Sequence, residues 1–146
     1  MARARRGRNA PSLSDLLVLD ARGVAGAAAG DPTVQAWLER AQERDADVIV
    51  SAVTLAEVIR GDARDACCNR VVKAVDVWPA DETLARAAGA LLGRASSDQT
   101  VDALVAATVL AARRHYGMTR CVVLTSDPHD LTALLADSPD VRVVPI

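Results

Sequence analysis

The stretch "LLVLDARG", residues 16–23, decides the fold. Four consecutive apolar residues read as a buried strand. The run ends on Asp20, and a carboxylate at the end of a buried strand is costly unless a partner or a cation compensates it. The residues that follow do not read as a helix start, and "DARGVAG" is a weak turn signal. At this level Asp20 has no ordinary capping role.

Outward from this strand, further apolar, β-rich runs occur at residues 48–50 (VIV), 75–78 (VDVW), 121–124 (CVVL) and 141–144 (VRVV). Helical patterns lie between them. Val34, Trp37, Leu38 and Ala41 follow the i, i+3, i+4, i+7 rule, with Glu39, Arg40, Glu43 and Arg44 elsewhere around the helix. Residues 54–60 and 64–73 predict two short helices broken at Gly61, and residues 82–93 an Ala/Leu-rich one. Residues 101–115 place Val101, Leu104, Val105, Thr108 and Ala112 on one face, and residues 128–136 fit a last short helix. Strands alternating with helices predict an α/β domain with a parallel sheet. The stretch "GVAGAAAG" raises the question of a dinucleotide loop, but its glycines do not form G-x-G-x-x-G, and no acid stands at the expected distance after a second strand.

Composition narrows the function classes. The chain has 146 residues, long enough for one domain with a real core. Its net charge of −2 excludes a uniformly basic nucleic-acid footprint, so any polyanion contact is local. Trp37, Trp78 and Tyr116 are the only aromatics, too few for a base-stacking platform. Cys67, Cys68 and Cys121 form neither a disulfide framework nor a zinc motif, and they predict reduced, mostly buried thiols in a cytoplasmic protein. No apolar run reaches membrane-spanning length. The Arg-rich start lacks the apolar core of a signal peptide. Residues 1–15 are therefore expected to be a flexible basic tail, and residues 16–146 the folded domain.

Four acids recur at the ends of the predicted elements: Asp20, Glu57, Asp102 and Asp127. Three have structural explanations. "TLAE" (54–57) reads as a capping box, with Thr54 as N-cap and Glu57 at N3. Asp102 lies in a first helical turn, where the helix dipole favours an acid, although Val105 and Val109 make its face apolar. Asp127 followed by Pro128 is a normal helix start. Taken together, however, all four follow strands or begin helices at the carboxyl ends of a parallel sheet, where ligands bind at the switch in strand order. Carboxylates gathered there repel one another unless a cation neutralises them. Hard oxygen ligands suit Mg²⁺ or Mn²⁺, which can activate water against a phosphodiester.

The pieces "LLVLD", "VSAVTLAEVIRG", "TVDALVAATVLAARRHYG" and "VVLTSDPHDL", in this order, resemble a PIN-domain ribonuclease, and more narrowly the VapC toxins of type II toxin–antitoxin pairs. The resemblance runs from about Leu16 to Ile146. It implies a three-layer α/β fold with a five-stranded parallel sheet in the order 3-2-1-4-5. It also implies a Mg²⁺ or Mn²⁺ site made by Asp20, Glu57, Asp102 and Asp127, endonucleolytic hydrolysis of RNA, and inhibition by a cognate antitoxin. The expected assemblies are a homodimer and a toxin–antitoxin hetero-oligomer. Ala21 and Arg22 depart from the family, which often has a small hydroxyl residue after the first acid.

Other residues have bland readings. Arg22 could meet a substrate phosphate or lie idle on the surface. Arg60 is placed for an i, i+3 ion pair with Glu57. Thr125 and Ser126 could hold water or cap the helix. Arg113, Arg114 and His115 lie roughly 16 Å along the helix from Asp102 and complement its C-terminus. His129 reads as a solvent-facing helix residue. Two other classes compete. A phosphoacceptor signalling domain needs paired acids and a late lysine, but the sole lysine is Lys73. A non-catalytic PIN-like binding module has no need of all four acids.

Overall fold

The computed structural model describes residues 15–117 and 120–146. The strand at Leu16–Leu19 (β1) lies at the centre of the sheet, and all four of its side chains are at most 4% exposed. It pairs in parallel with β2 (Asp47–Ser51) on one side and β4 (Cys121–Thr125) on the other. β3 (Asp76–Trp78) and β5 (Val141–Pro145) form the edges, so the order is β3-β2-β1-β4-β5 and every pairing is parallel. The five apolar runs of the sequence thus become the five strands, in the expected 3-2-1-4-5 order.

Side-chain alternation along β1 divides the core. Leu16 and Val18 pack into a layer with α5 (Glu82–Ala95), α6 (Thr100–Tyr116) and α7 (Pro128–Leu134). Leu17 and Leu19 face the opposite layer, built from α1 (Ala21–Ala29), α2 (Pro32–Glu43), α3 (Ala52–Val58) and α4 (Ala66–Ala74). With both faces covered, the central strands can be apolar throughout.

Three local expectations are corrected. The Gly/Ala-rich stretch after Asp20 is a helix, α1. A Cβ on Gly26 would come within 2.7 Å of Val34 Cγ2, so this glycine lets α1 and α2 approach closely. Second, α3 begins at Ala52, with Ser51 in the N-cap position and no side-chain cap. The capping box expected at Thr54 and Glu57 therefore does not form. Third, only Cys121 is buried; Cys67 is exposed and Cys68 intermediate. Burial pushes the Cys121 thiol up to about 12, which keeps it inert.

The break at Gly61 is real and has a specific architecture. Gly61 has a φ of 81°, in the left-handed region. The buried Asp65 carboxylate accepts hydrogen bonds from the backbone N–H groups of Arg60, Gly61 and Asp62, which folds the chain back after α3. These contacts hold the Asp65 carboxyl below the usual carboxylate range. The flexible tail expected over residues 1–15 lies, except for Asp15, outside the described residues. Asp15 accepts an ion pair from Arg44 at 3.1 Å. Among the described residues no helix is long and apolar enough to cross a membrane.

Candidate metal centre

Asp20, Asp127 and Glu57 are presented where β1, β4 and the helix after β2 leave the carboxyl edge of the sheet, and Asp102 joins them from the first turn of α6. Asp20 links two of these elements. Its Oδ1 accepts from Gly23 N at 3.0 Å, capping α1, and its Oδ2 accepts from Ser126 N at 3.3 Å, just beyond β4. The acid that lacked a capping role in the sequence is therefore a cap.

The reverse holds for the acids that looked like caps. Glu57 is exposed near the C-terminal end of α3, the end at which the helix dipole disfavours a negative charge. Asp127 occupies the N-cap position of α7, but its side chain makes no cap hydrogen bond; its own N–H instead donates to Thr125 Oγ1 at 3.0 Å. Asp102 lies in the first turn of α6, half-buried, with Val105 and Val109 buried on the same side. Dipole stabilisation is available to it, yet its carboxyl is raised from 3.8 to about 6. Desolvation is the main cause, followed by the charges of Asp127, Asp130, Glu57 and Asp20. Glu57 is likewise raised, by desolvation and then by the Asp20 charge, with Arg60 opposing.

The structure brings two of the expected acids into close contact and adds a third. Carboxylate oxygens of Asp102, Asp127 and Asp130 all lie within 4.8 Å of one another. Asp20 and Glu57 border this trio; both act electrostatically on Asp102. Asp130, in the first turn of α7, was missed from sequence. The available signal was its i+3 spacing from Asp127, which puts the two carboxylates on neighbouring positions of one turn. Three hard anionic oxygens at this spacing, with one carboxyl raised by desolvation and by its acidic neighbours, fit a divalent cation.

Buried hydroxyls tie the elements together beneath the acids. Thr108 of α6 donates to Leu104 O at 2.8 Å and shares a 3.1 Å hydrogen bond with Ser51 at the end of β2. This contact fixes α6, and hence Asp102, against the strand that leads into the Glu57 helix. Thr54 is fully buried and its Oγ1 has no hydrogen-bond partner among the described residues.

The remaining candidates lie outside the cluster or serve it indirectly. Arg60 turns its Nη1 to the carbonyls of Ala56 and Ile59, at 3.0 and 3.1 Å, and forms no ion pair with Glu57. Arg22 and His129 are exposed. At the far end of α6, Arg113 pairs with Asp140 at 2.7 Å and His115 packs edge-on against Trp78.

No protein-family model and no curated protein matches this sequence. Solved structures do match. One is a chain of the VapBC2 complex from Rickettsia felis, bound to a DNA fragment from their promoter. It superposes with a TM-score of 0.66 over 90% of this chain and 98% of its own, at 12% sequence identity. At that identity the likeness establishes a shared fold, an α/β domain with this sheet order, and nothing narrower.

Proposed function

We propose that this protein is a metal-dependent endoribonuclease of the PIN type, acting as the toxin of a toxin–antitoxin pair. The observation that carries the reading is the convergence of Asp102, Asp127 and Asp130 within 4.8 Å, bordered by Asp20 and Glu57, at the carboxyl edge of the sheet. In this reading Asp102 and Asp127, joined by Asp130, hold Mg²⁺ or Mn²⁺, with Asp20 and Glu57 completing the acidic shell. A cation held there would lower the pKa of an attacking water and offset charge on the scissile phosphodiester. Asp20, held by two backbone N–H groups, keeps its carboxylate in a fixed orientation at the junction of β1 and β4. Glu57 is exposed and more basic than an ordinary glutamate, which suits it to take the proton of the attacking water.

The structural neighbour is a VapBC complex, and by analogy we assign this chain a small antitoxin partner that covers the acidic edge. An arginine from such a partner would compete with the cation by charge pairing. The homodimer and toxin–antitoxin hetero-oligomer belong to the same reading.

The test is cleavage of end-labelled RNAs by purified protein. Cutting should require Mg²⁺ or Mn²⁺ and stop in excess EDTA. Undiminished cutting in EDTA would overturn the metal mechanism, and folded protein that cuts no RNA with either cation present would overturn the nuclease assignment.

A further inference from the structure

At the opposite end of the sheet the charge changes sign. A cleft of about 390 Å³ opens at the amino ends of β1 and β4, beneath α2. Among the described residues four arginines line it, Arg40, Arg44, Arg120 and Arg142, against two acids, Asp15 and Asp140. Both acids are already neutralised, Asp15 by Arg44 at 3.1 Å and Asp140 by Arg113 at 2.7 Å. Arg40 and Arg120 have no carboxylate partner among the described residues, and the Arg142 guanidinium lies 6.0 Å over the Trp37 ring. Three arginines without a carboxylate partner among the described residues therefore line one cleft, in a chain whose net charge is −2. The cleft is separated from the acidic edge by the four-residue length of β1, roughly 13 Å at strand rise.

The rest of the lining is apolar. Leu17, Val122 and the half-buried indole of Trp37 form a wall that an inorganic anion would not need. A ligand that satisfies both halves carries phosphate for the arginines and a flat, largely apolar ring for the wall. The volume lies at the small end of the range typical of ligand pockets, about 300–1,000 Å³. We propose that this cleft is a nucleotide-binding site, independent of the acidic centre, which takes a nucleoside phosphate. The phosphate is recognised by Arg40, Arg120 and Arg142, and the base lies along Trp37. The same chemistry is offered by a free nucleotide and by the phosphorylated end of a nucleic-acid strand.

The test is titration of the full chain in excess EDTA, so that failure of the nuclease reading leaves it unaffected. The readout is the Trp37 indole N–H signal in ¹H–¹⁵N spectra, with Trp78 on the other side of the molecule as internal reference. Probes are ADP, adenosine, inorganic phosphate, an acidic peptide, and a short oligoribonucleotide with a 5′-phosphate or a 5′-hydroxyl. ADP or the 5′-phosphorylated oligomer should shift Trp37 and leave Trp78 in place, more strongly than adenosine or phosphate. Preference for ADP identifies a free nucleotide as the source, and preference for the phosphorylated oligomer identifies a strand end. Arg120→Gln and Arg142→Gln should each weaken binding roughly tenfold through loss of a charge-assisted hydrogen bond, whereas Arg94→Gln on α5 should not. Saturation of Trp37 by inorganic phosphate alone at the affinity of ADP, equal binding of the acidic peptide, or unchanged binding in both cleft variants would overturn the proposal.

Discussion

Replacing Asp102 by Asn should make the metal-free protein more stable, the opposite of the usual effect of altering a half-buried polar residue. In the folded chain the Asp102 carboxyl is raised from 3.8 to about 6. At about 1.4 kcal/mol per pH unit this bounds the cost of ionising it in the fold at about 3 kcal/mol, and partial solvent exposure reduces that to of order 1–2 kcal/mol. For a chain of this size the melting temperature of Asp102→Asn should rise by about 3–6 °C at pH 7.5 in EDTA. The pH dependence fixes the sign. Between pH 3.8 and about 6 the unfolded chain has released this proton while the folded chain retains it, so stability falls as pH rises through that window. The advantage of the variant should therefore be complete above pH 6 and vanish near pH 4. Added Mg²⁺ should reverse the ranking, because a cation that binds only the folded wild type stabilises it by mass action. Calorimetry of both proteins at pH 4 and 7.5, with EDTA or Mg²⁺, reads all of this. A variant no more stable than wild type in EDTA at pH 7.5, or a gap that does not close on acidification, would refute the placement of Asp102 in a field of uncompensated carboxylates.

Asp20→Asn should behave differently, since both carboxylate oxygens accept backbone N–H bonds: Asn retains one acceptor and turns a donor toward the other N–H, costing about 1 kcal/mol. Urea denaturation in EDTA checks this, and a stabilised Asp20→Asn would contradict the capping geometry. Thr54→Val removes a buried hydroxyl without a partner and should gain about 1 kcal/mol; a loss in the same assay would mean that the hydroxyl is hydrogen-bonded. Glu57→Gln, at an exposed site that caps nothing, should change stability by less than about 0.5 kcal/mol while abolishing RNA cleavage. Retained cleavage would remove Glu57 from the proton-transfer role.

The sheet was legible because its strands are short apolar runs separated by amphipathic helices, and because a strand as apolar as Leu16–Leu19 fits only the centre of a covered sheet. Helix α1 was not legible. Its Ala/Gly composition carries little periodic signal, and the reason for Gly26 is the approach of Val34 from another helix, a contact invisible along the chain. The clustering of acids at the candidate site was legible in outline, and their local roles were misread. Asp102 and Asp127 do converge, but the capping roles were assigned to the wrong acids. The N-cap of α3 lies three residues earlier than the capping-box reading, at Ser51 rather than Thr54, and that is enough to turn an apparent N3 glutamate into one near the C-terminal end. Asp130 escaped because a first-turn helical acid has an adequate explanation in the dipole alone.

Once these corrections are made, the acids are harder to explain by stability. Glu57 stands at the unfavourable end of its helix, Asp127 holds a cap position without capping, and Asp102 is desolvated among four other carboxylates. Other acids of the chain have ordinary local partners: Asp31 and Asp81 cap α2 and α5 with side-chain hydrogen bonds, and Asp65 is enclosed by three N–H groups. The three departures coincide at one edge of the sheet, which is what the proposed metal site requires. The elements that hold it are rigid: a central strand buried on all sides, a helix tied to β2 through Thr108 and Ser51, and an aspartate that bridges the ends of β1 and β4. Ionisation of Asp102 is opposed by desolvation and by four neighbouring carboxylates, and in the proposed reading a bound cation would offset both.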